Sequence, residues 1–227
     1  MLDEYLLLIC IIGIPDELKT RMVRTFAEGK FTTDYLPTLG FDITTKQIQV
    51  DNSNIKLILV DTSGQEFFDE LRSSHYRTAS AAIITFDKGD RDSFIAVKKW
   101  YKEFVNEINR FYKKQKTTIT DVEHDPRMEV PIALVGFITK EEPITPTFLK
   151  IQKRLDNTGD WIDWTNNKEI YEEITTAEGQ SLAEELGLSF YETRPTDKKI
   201  SEQIFHDLTL QVLRRRTHQR WKTIEQE

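Results

Sequence analysis

The sequence predicts an α/β fold: a mostly parallel, doubly wound sheet with one antiparallel edge strand, flanked by helices. Three observations support this. Apolar runs alternate with helical stretches along the 227 residues, the order that repeated strand–helix units produce. The first run, residues 5–12, is apolar throughout, as expected for a strand covered on both faces. A polar cluster at residues 51–54 separates two of them as a hairpin turn, so this pair should be antiparallel.

The elements follow in order along the chain. Strands are predicted at residues 5–12, 41–50, 55–60, 81–86, 130–137 and 189–193. Helices are predicted from about Lys19 to Gly29, over 93–112, from Thr175 to Gly187 and over 200–214. Thr175 and Glu178 have the spacing of a capping box, and Gly187 is a typical helix end. An aromatic stripe along residues 93–112 indicates a core-facing helix.

Length and composition predict one domain, residues 1–216, with long connections at 113–129 and 141–174 and a basic, polar tail at 217–227. A short helix is expected at 147–155. Trp161 and Trp164 in the second connection would either form a partner surface or pin the loop to the body.

Charge and cysteine usage narrow the function classes. A net charge of -7 argues against a general nucleic-acid role. The single cysteine, Cys10, lies in an apolar run and is expected to be a buried thiol, which fits a reducing cytoplasm. The same run is too short to span a membrane and has no basic residues before it.

The first candidate site lies at residues 13–20, GIPDELKT, which match the phosphate-loop pattern G-x-x-x-x-G-K-[ST] except at Leu18. In that pattern backbone N–H groups face phosphates, Lys19 supplies counter-charge and the Thr20 hydroxyl binds Mg²⁺. Leu18 restricts the backbone, while Asp16 and Glu17 add negative charge near an anion site. Lys19 and Thr20 could instead be plain first-turn helix residues.

The second candidate site is the segment 61–66, DTSGQE, after an apolar strand. A carboxylate at a strand end, Asp61, can hold Mg²⁺ through water. Gly64 allows close approach to a terminal phosphate, and Gln65 can orient an attacking water. Alone, the segment could be an ordinary strand-to-loop turn.

Taken in order, Lys19 and Thr20, then Thr38, then 61–66 resemble the Ras/Rab family of small GTPases, and residues 31–40 resemble the first switch of Rab proteins. The resemblance implies a Ras-like P-loop NTPase fold that binds GTP or GDP with Mg²⁺. The residue roles that it implies are phosphate or nucleotide contact at Gly13, Lys19, Thr20, Thr38 and Gly64, base packing at Phe31, metal binding at Thr20, Thr38 and Asp61, and catalysis at Gln65.

The switch regions are the expected contact for effector or regulator proteins. Within residues 67–76, the aromatic side chains of Phe67, Phe68 and Tyr76 would be available to partners, or would instead seal the domain. Pro15 occupies the family position closest to the catalytic glutamine and is expected to hinder an incoming arginine finger.

The guanine-reading motifs depart from the family. Residues 137–140 read FITK in place of Asn-Lys-x-Asp, and residues 194–196 read RPT in place of Ser-Ala-Lys. Lys140 offers only donors where the family aspartate accepts from guanine. Pro195 has no N–H to donate. Guanine specificity is therefore expected to be weakened or altered, so that a less specific nucleoside triphosphate could bind.

Residues 214–222 are basic and are expected to form a solvated helix end; weak peripheral membrane contact through Trp221 is the alternative. No cysteine lies near the carboxyl end, so no prenyl anchor is expected. Two functions stay open: a nucleotide-dependent switch with slow hydrolysis, and a pseudo-GTPase that binds partners without a nucleotide cycle.

Overall fold

The computed structural model describes residues 4–14, 16–29, 38–64, 69–115, 130–139 and 174–224. Within these ranges the strands are β1 Glu4–Gly13, β2 Phe41–Val50, β3 Ser53–Thr62, β4 Ala81–Asp87, β5 Ile132–Phe137 and β6 Ser189–Thr193. The helices are α1 Asp16–Glu28, α2 Asp69–Tyr76, α3 Arg91–Gln115, α4 Thr176–Leu186 and α5 Lys198–Ile224.

The strands form one sheet in the order β2-β3-β1-β4-β5-β6. Every neighbouring pair is parallel except β2 and β3, which form the antiparallel hairpin at one edge. This arrangement confirms the predicted fold class. The carboxyl ends of the five parallel strands lie along one edge of the sheet, which is where ligands bind in such folds.

Two apolar clusters cover the two faces of the sheet. On one face, Ile9 and Ile11 pack with α1 and α5, where the rings of Phe26 and Phe205 stack with centroids 4.0 Å apart. On the other face, Cys10 packs with α3 and α4. Cys10 is fully buried, as predicted, and burial raises the pKa of its thiol. Because alternate residues of β1 face the two apolar clusters, the strand is apolar from residue 5 to residue 12.

Helix α4 confirms its predicted ends. The Thr175 hydroxyl accepts from the Glu178 amide at 3.2 Å, and the Glu178 carboxylate accepts from the Thr175 amide at 2.9 Å. Gly187 ends the helix with φ 69°, in the left-handed region that glycine adopts without strain. The aromatic stripe of α3 also lies in the core, where Val97 and Phe104 are fully buried.

Several predicted boundaries were wrong. Helix α1 begins at Asp16 and not at Lys19, because acidic residues favour a first helical turn and Leu18 is a better helix former than the glycine of the phosphate-loop pattern. The hairpin turn holds only Asp51 and Asn52. Asp51 adopts φ 51°, a conformation that aspartate tolerates in tight turns.

Helices α3 and α5 are longer than predicted. Helix α3 starts at Arg91, where the Asp90 carboxylate accepts from the Asp92 and Ser93 amides, and it continues to Gln115. Helix α5 runs to Ile224 through a sequence with no glycine or proline. Most of the predicted tail therefore has helical backbone.

The expected helix at 147–155 and the tryptophans at 161 and 164 lie outside the described residues. Among the helices that the structure describes, none combines the length and apolar character that crossing a bilayer requires.

Candidate phosphate and metal site

The turn from β1 into α1 places Lys19 inside the protein. Gly13 ends β1 with φ +109°, and a Cβ there would lie 2.3 Å from the Thr85 carbonyl oxygen. Only glycine fits this conformation and this close approach. The Lys19 ammonium is fully buried and donates to the Gly13 carbonyl at 2.6 Å. The backbone thus positions a buried positive charge at the start of a helix, where the first-turn amides also favour anions.

The Asp16 carboxylate closes over this turn. Its Oδ1 accepts from the Lys19 ammonium at 2.6 Å and from the Gly64 amide at 2.8 Å, and its Oδ2 accepts from the Ser63 hydroxyl at 3.1 Å. Gly64 is pressed against this loop, since an added Cβ would lie 2.7 Å from an Ile14 methyl carbon. The segment after β3 is therefore held directly against the turn that carries Lys19.

Three oxygen-bearing side chains meet beside Lys19. The Thr20 hydroxyl donates to Asp61 Oδ2 and lies 3.2 Å from the Thr38 hydroxyl oxygen. All three side chains are buried. Asp61 lies 41 positions from Thr20 in sequence and reaches it because β3 and β1 are neighbours in the sheet. Thr38 lies 18 positions away, just before β2, the strand that pairs with β3.

Asp61 has an unusual environment. Its Oδ1 atom is buried and has no hydrogen-bond partner among the residues that the structure describes. Burial raises the pKa of the Asp61 carboxyl to about 6, although the Lys19 charge and the Thr20 hydrogen bond act in the opposite direction. An unpartnered buried carboxylate oxygen costs free energy unless a cation or donor satisfies it.

This donor set fits magnesium. Mg²⁺ takes oxygen ligands and is usually held by one or two carboxylates together with phosphate oxygens and waters. Within the described ranges, no three His, Cys, Asp or Glu side chains cluster as a metal cage, so the candidate ligands are one carboxylate, Asp61, and the hydroxyls of Thr20 and Thr38.

Helix α2 is anchored to the segment that carries Gly64. The buried Arg72 guanidinium donates to the Ser63 carbonyl at 2.9 Å and pairs with Glu103 at 3.4 Å. It also lies over the Trp100 ring, 5.0 Å from the ring centroid. The Tyr76 side chain is fully buried in the core, so the expectation that it is available to partners was wrong and the domain-sealing alternative holds for this residue.

At the other end of the sheet edge, where the base motifs were sought, residues 137–139 make contacts within the protein. Phe137 is fully buried in the core. The Ile138 amide donates to the Thr193 carbonyl at 2.9 Å, and the Thr139 hydroxyl donates to the Asp87 carboxylate at 2.8 Å. Burial raises the pKa of Asp87, while its bonds to Gly89 and Thr139 oppose this rise.

The loop after β6 is a tight turn around Pro195. The Asp197 amide donates to the Arg194 carbonyl at 2.9 Å, and Pro195 itself is buried. Beside it, Glu192 pairs with the Lys88 ammonium at 2.5 Å. A proline inside this turn cannot offer the backbone donor that a base carbonyl would need at this position.

A model of the Ras family matches residues 9–214, a span that includes every strand except the first residues of β1. The chain belongs to the Ras family. This finding confirms the resemblance that the phosphate-site motifs carried.

Individual relatives are Rab-like. The chain is 26% identical to "Ras-related protein RAB1BV" of Beta vulgaris over 93% of its own length and 78% of that protein. It is 29% identical to "Ras-related protein Rab-11B" of Dictyostelium discoideum over 90% of its length and 73% of that protein. It is 34% identical to "GTP-binding protein ypt1" of Schizosaccharomyces pombe over 52% of its length and 60% of that protein.

Four residues that matter for a Ras-family site lie outside the described residues: Pro15, Phe31, Gln65 and Lys140. Their roles stay predictions. The structure brings together the remaining predicted phosphate and metal residues: Gly13, Lys19, Thr20, Thr38, Asp61 and Gly64.

Sequence reasoning missed two members of this Ras-family site. Asp16 was expected to add negative charge, but its bond to Gly64, 48 residues away, has no local sequence signal. Arg72 was missed because its helix, α2, was not predicted. Its sequence neighbours, residues 69–76 reading DELRSSHY, are mostly polar and gave no signal that the guanidinium would be buried.

Proposed function

We propose that this Ras-family protein is a nucleotide-dependent switch that binds its ligand mainly through the phosphates and Mg²⁺. The observation that supports this most directly is the buried meeting of Thr20, Thr38 and Asp61 beside the Lys19 ammonium. A buried carboxylate oxygen without a partner is costly in a protein that has no cation to place there.

Each residue then has a defined role. Thr20, Thr38 and Asp61 hold Mg²⁺, which neutralises charge on the phosphates. Lys19 supplies a second positive charge, and the Gly64 amide donates to a terminal phosphate. Because Thr38 and Gly64 belong to two separate segments, loss of that phosphate would release both, which is how such a site changes partner affinity.

Base selection is proposed to be weak. Pro195 lacks the backbone N–H that donates to guanine O6 in the family, and the Phe137 side chain is buried in the core. A hydrogen bond to a neutral base contributes about 0.5–1.5 kcal/mol and a charged one about 1.5–3 kcal/mol. Losing both kinds of hydrogen bond removes most of the preference for guanine over adenine.

Lys140→Asp should restore part of the preference for GTP over ATP if residue 140 faces the base. An unchanged preference would count against the assignment of residue 140 to this motif position.

Hydrolysis is proposed to be slow, with Gln65 orienting the water and Pro15 hindering an external arginine. Steady-state hydrolysis with and without candidate activating proteins checks this point, and a rise of several orders of magnitude would contradict it. Pro15→Gly provides the comparison, because it removes the ring and should increase any activation.

Partners are proposed to bind the surface formed by residues 38–43 and α2. Leu39 is 79% exposed, and Ile43 and Leu71 are also exposed. Phe41 touches His75, with ring centroids 4.3 Å apart, so β2 and α2 meet at this surface. Exposed apolar side chains beside a phosphate-sensing segment suit an effector or regulator protein. The cytoplasmic location expected from Cys10 stays a prediction.

Calorimetric titration of the full chain with GTP, GDP and ATP, with and without Mg²⁺, tests the switch. We expect Mg²⁺-dependent binding with GTP and ATP affinities within about tenfold of each other. Thr20→Ala should weaken the Mg²⁺-dependent part, whereas Thr45→Ala, an exposed threonine on β2, should leave it unchanged.

A pseudo-GTPase that binds partners without nucleotide is the second candidate. It is favoured by one observation: Asp16 already satisfies both Lys19 and Gly64. The same titration separates the two candidates, since no binding of any nucleotide at millimolar concentration with Mg²⁺ would leave only the second.

A further inference from the structure

Asp16 differs from an ordinary first-turn acidic residue. A carboxylate at that position usually interacts with the amides of its own helix. The Asp16 carboxylate instead spans two separate segments, with bonds to Lys19 in α1 and to Ser63 and Gly64 after β3. Its side chain is 19% exposed, whereas that of Lys19 is 0% exposed. Asp16 is therefore the counter-ion of a fully buried ammonium.

Two of these donors are groups assigned above to the nucleotide: Lys19 as positive charge for the phosphates and the Gly64 amide as donor to a terminal phosphate. The Lys19 ammonium and the Gly64 amide converge on one carboxylate oxygen, Oδ1, at 2.6 and 2.8 Å. A phosphate oxygen has the same charge sign and accepts from the same donors. The Gly64 amide has one hydrogen, so it cannot serve the carboxylate and a phosphate in full at once.

The geometry points to Asp16 as an internal replacement for the terminal phosphate. Because its carboxylate occupies the donors that a third phosphate would use, the site prefers a nucleoside diphosphate to a triphosphate. This inference rests on the proposed function, namely that the phosphate half of the site binds nucleotides. A triphosphate must displace the Asp16 carboxylate from both Lys19 and Gly64 and then lie beside its negative charge. A diphosphate leaves the bond between Asp16 and Gly64 in place.

The preference follows from charge as well as from space. Two like charges in a partly buried site repel more strongly than in water. The Asp16 carboxylate thus repels the third phosphate more strongly than the first two. It determines how many phosphates the bound nucleotide carries, and it does not select the base. It also holds Gly64 against the loop, so the protein's own carboxylate sustains the contact that a terminal phosphate would make.

The test compares Asp16→Asn and Asp16→Ala with Asp92→Asn, an exposed acidic residue in the first turn of α3. Binding of GDP and of a non-hydrolysable GTP analogue is measured with Mg²⁺ on the full chain. We expect the wild type and Asp92→Asn to bind GDP at least tenfold more tightly than the analogue. In both Asp16 variants, the ratio of the analogue Kd to the GDP Kd should be at least tenfold smaller than in the wild type. If an Asp16 variant folds and binds nucleotide but its ratio of Kd values is unchanged, the inference is overturned and the proposed function stays intact.

A second measurement uses inorganic tripolyphosphate as the probe and pyrophosphate as its comparison, in nucleotide-free, Mg²⁺-free buffer. Asp16→Asn removes the charge that is hydrogen-bonded to the buried Lys19 ammonium, so its Tm should fall below that of Asp92→Asn. Tripolyphosphate should raise the Tm of Asp16→Asn more than that of the wild type, whereas the effect of pyrophosphate should differ less between the two. If no variant binds any nucleotide, the proposed function fails. The competition by Asp16 is then supported by the larger tripolyphosphate effect, and an equal or absent effect overturns it.

Discussion

At the scale of single residues, Gly13 and Gly187 both have positive φ, 109° and 69°, but only Gly13 is also crowded. A Cβ on Gly13 would lie 2.3 Å from the Thr85 carbonyl oxygen, whereas nothing lies within 4 Å of a Cβ on Gly187. The two glycines therefore separate the cost of backbone conformation from the cost of a steric clash.

Gly13→Ala is expected to lower the free energy of unfolding by more than about 3 kcal/mol, because the clash is with backbone atoms that cannot rotate away. Gly187→Ala, the control, should cost about 1 kcal/mol, since only the left-handed conformation is penalised. Urea denaturation of the two variants measures both. Equal losses would contradict the packing described at the end of β1.

Asp61 illustrates a trade between stability and ligand binding. In the part of the chain that the structure describes, its Oδ1 has no hydrogen-bond partner. Asp61→Asn should raise the free energy of unfolding in Mg²⁺-free, nucleotide-free buffer by about 1 kcal/mol, because it removes a buried charge. The same variant should lose Mg²⁺-dependent nucleotide affinity. Asp92→Asn, at an exposed acidic residue in the first turn of α3, is the control and should change neither quantity. A destabilised Asp61→Asn would contradict the description of Asp61 as a buried carboxylate with an unpaired oxygen.

At the scale of elements, helix α4 is held at its start by charge. Glu178 accepts from the Arg91 guanidinium at 2.5 Å and from the Thr175 amide at 2.9 Å. These bonds, the Arg91 bond first, lower the pKa of Glu178 from its ordinary 4.5 to about 2. The cap therefore joins α4 to α3 only while this carboxylate is ionised.

The pH dependence follows from this lowered pKa. Because the folded protein holds Glu178 ionised more strongly than the unfolded chain does, the contribution is complete above pH 4.5 and is lost as the pH falls towards 2. The difference in unfolding free energy between wild type and Glu178→Gln should therefore shrink over that interval. Denaturant titrations at pH 7, 4.5 and 3 measure it, with Glu184→Gln on the same helix as the control. A constant difference would contradict the cap.

At the scale of the whole molecule, α1 and α5 close one face of the sheet through the stacked rings of Phe26 and Phe205, whose planes are inclined by 19°. Both side chains are at least 98% buried, with exposures of 2% and 0%. This contact supports the helix that begins the candidate site, so the packing of the core and the position of Lys19 are linked.

Phe205→Ala is expected to lower the free energy of unfolding by about 3–5 kcal/mol, since it leaves a cavity beside Phe26. Ile95→Ala is the control: Ile95 is 65% exposed, and its loss should stay within about 0.5 kcal/mol. Chemical denaturation gives both values. A small loss at Phe205 would mean that α5 packs less tightly on the sheet than described.

The sequence predicted the sheet well because its signals are local. The apolar runs, the Thr175 capping box and Gly187 each act within a few residues. Contacts that join distant segments were not predictable in this way: the bond from Asp16 to Gly64 and the burial of Arg72 depend on how β1, β3 and α3 are assembled. The early start of α1 was missed because the family pattern suggested a loop where the actual residues favour helix.

The Arg72 contacts have an optical consequence. The same guanidinium touches the Ser63 carbonyl and the face of Trp100, so a shift of the peptide preceding Gly64 alters the surroundings of a buried indole. A variant in which the other three tryptophans are replaced by phenylalanine keeps Trp100 as its only indole. The fluorescence intensity of Trp100 should then report whether the Gly64 amide is bonded to the Asp16 carboxylate or to a phosphate.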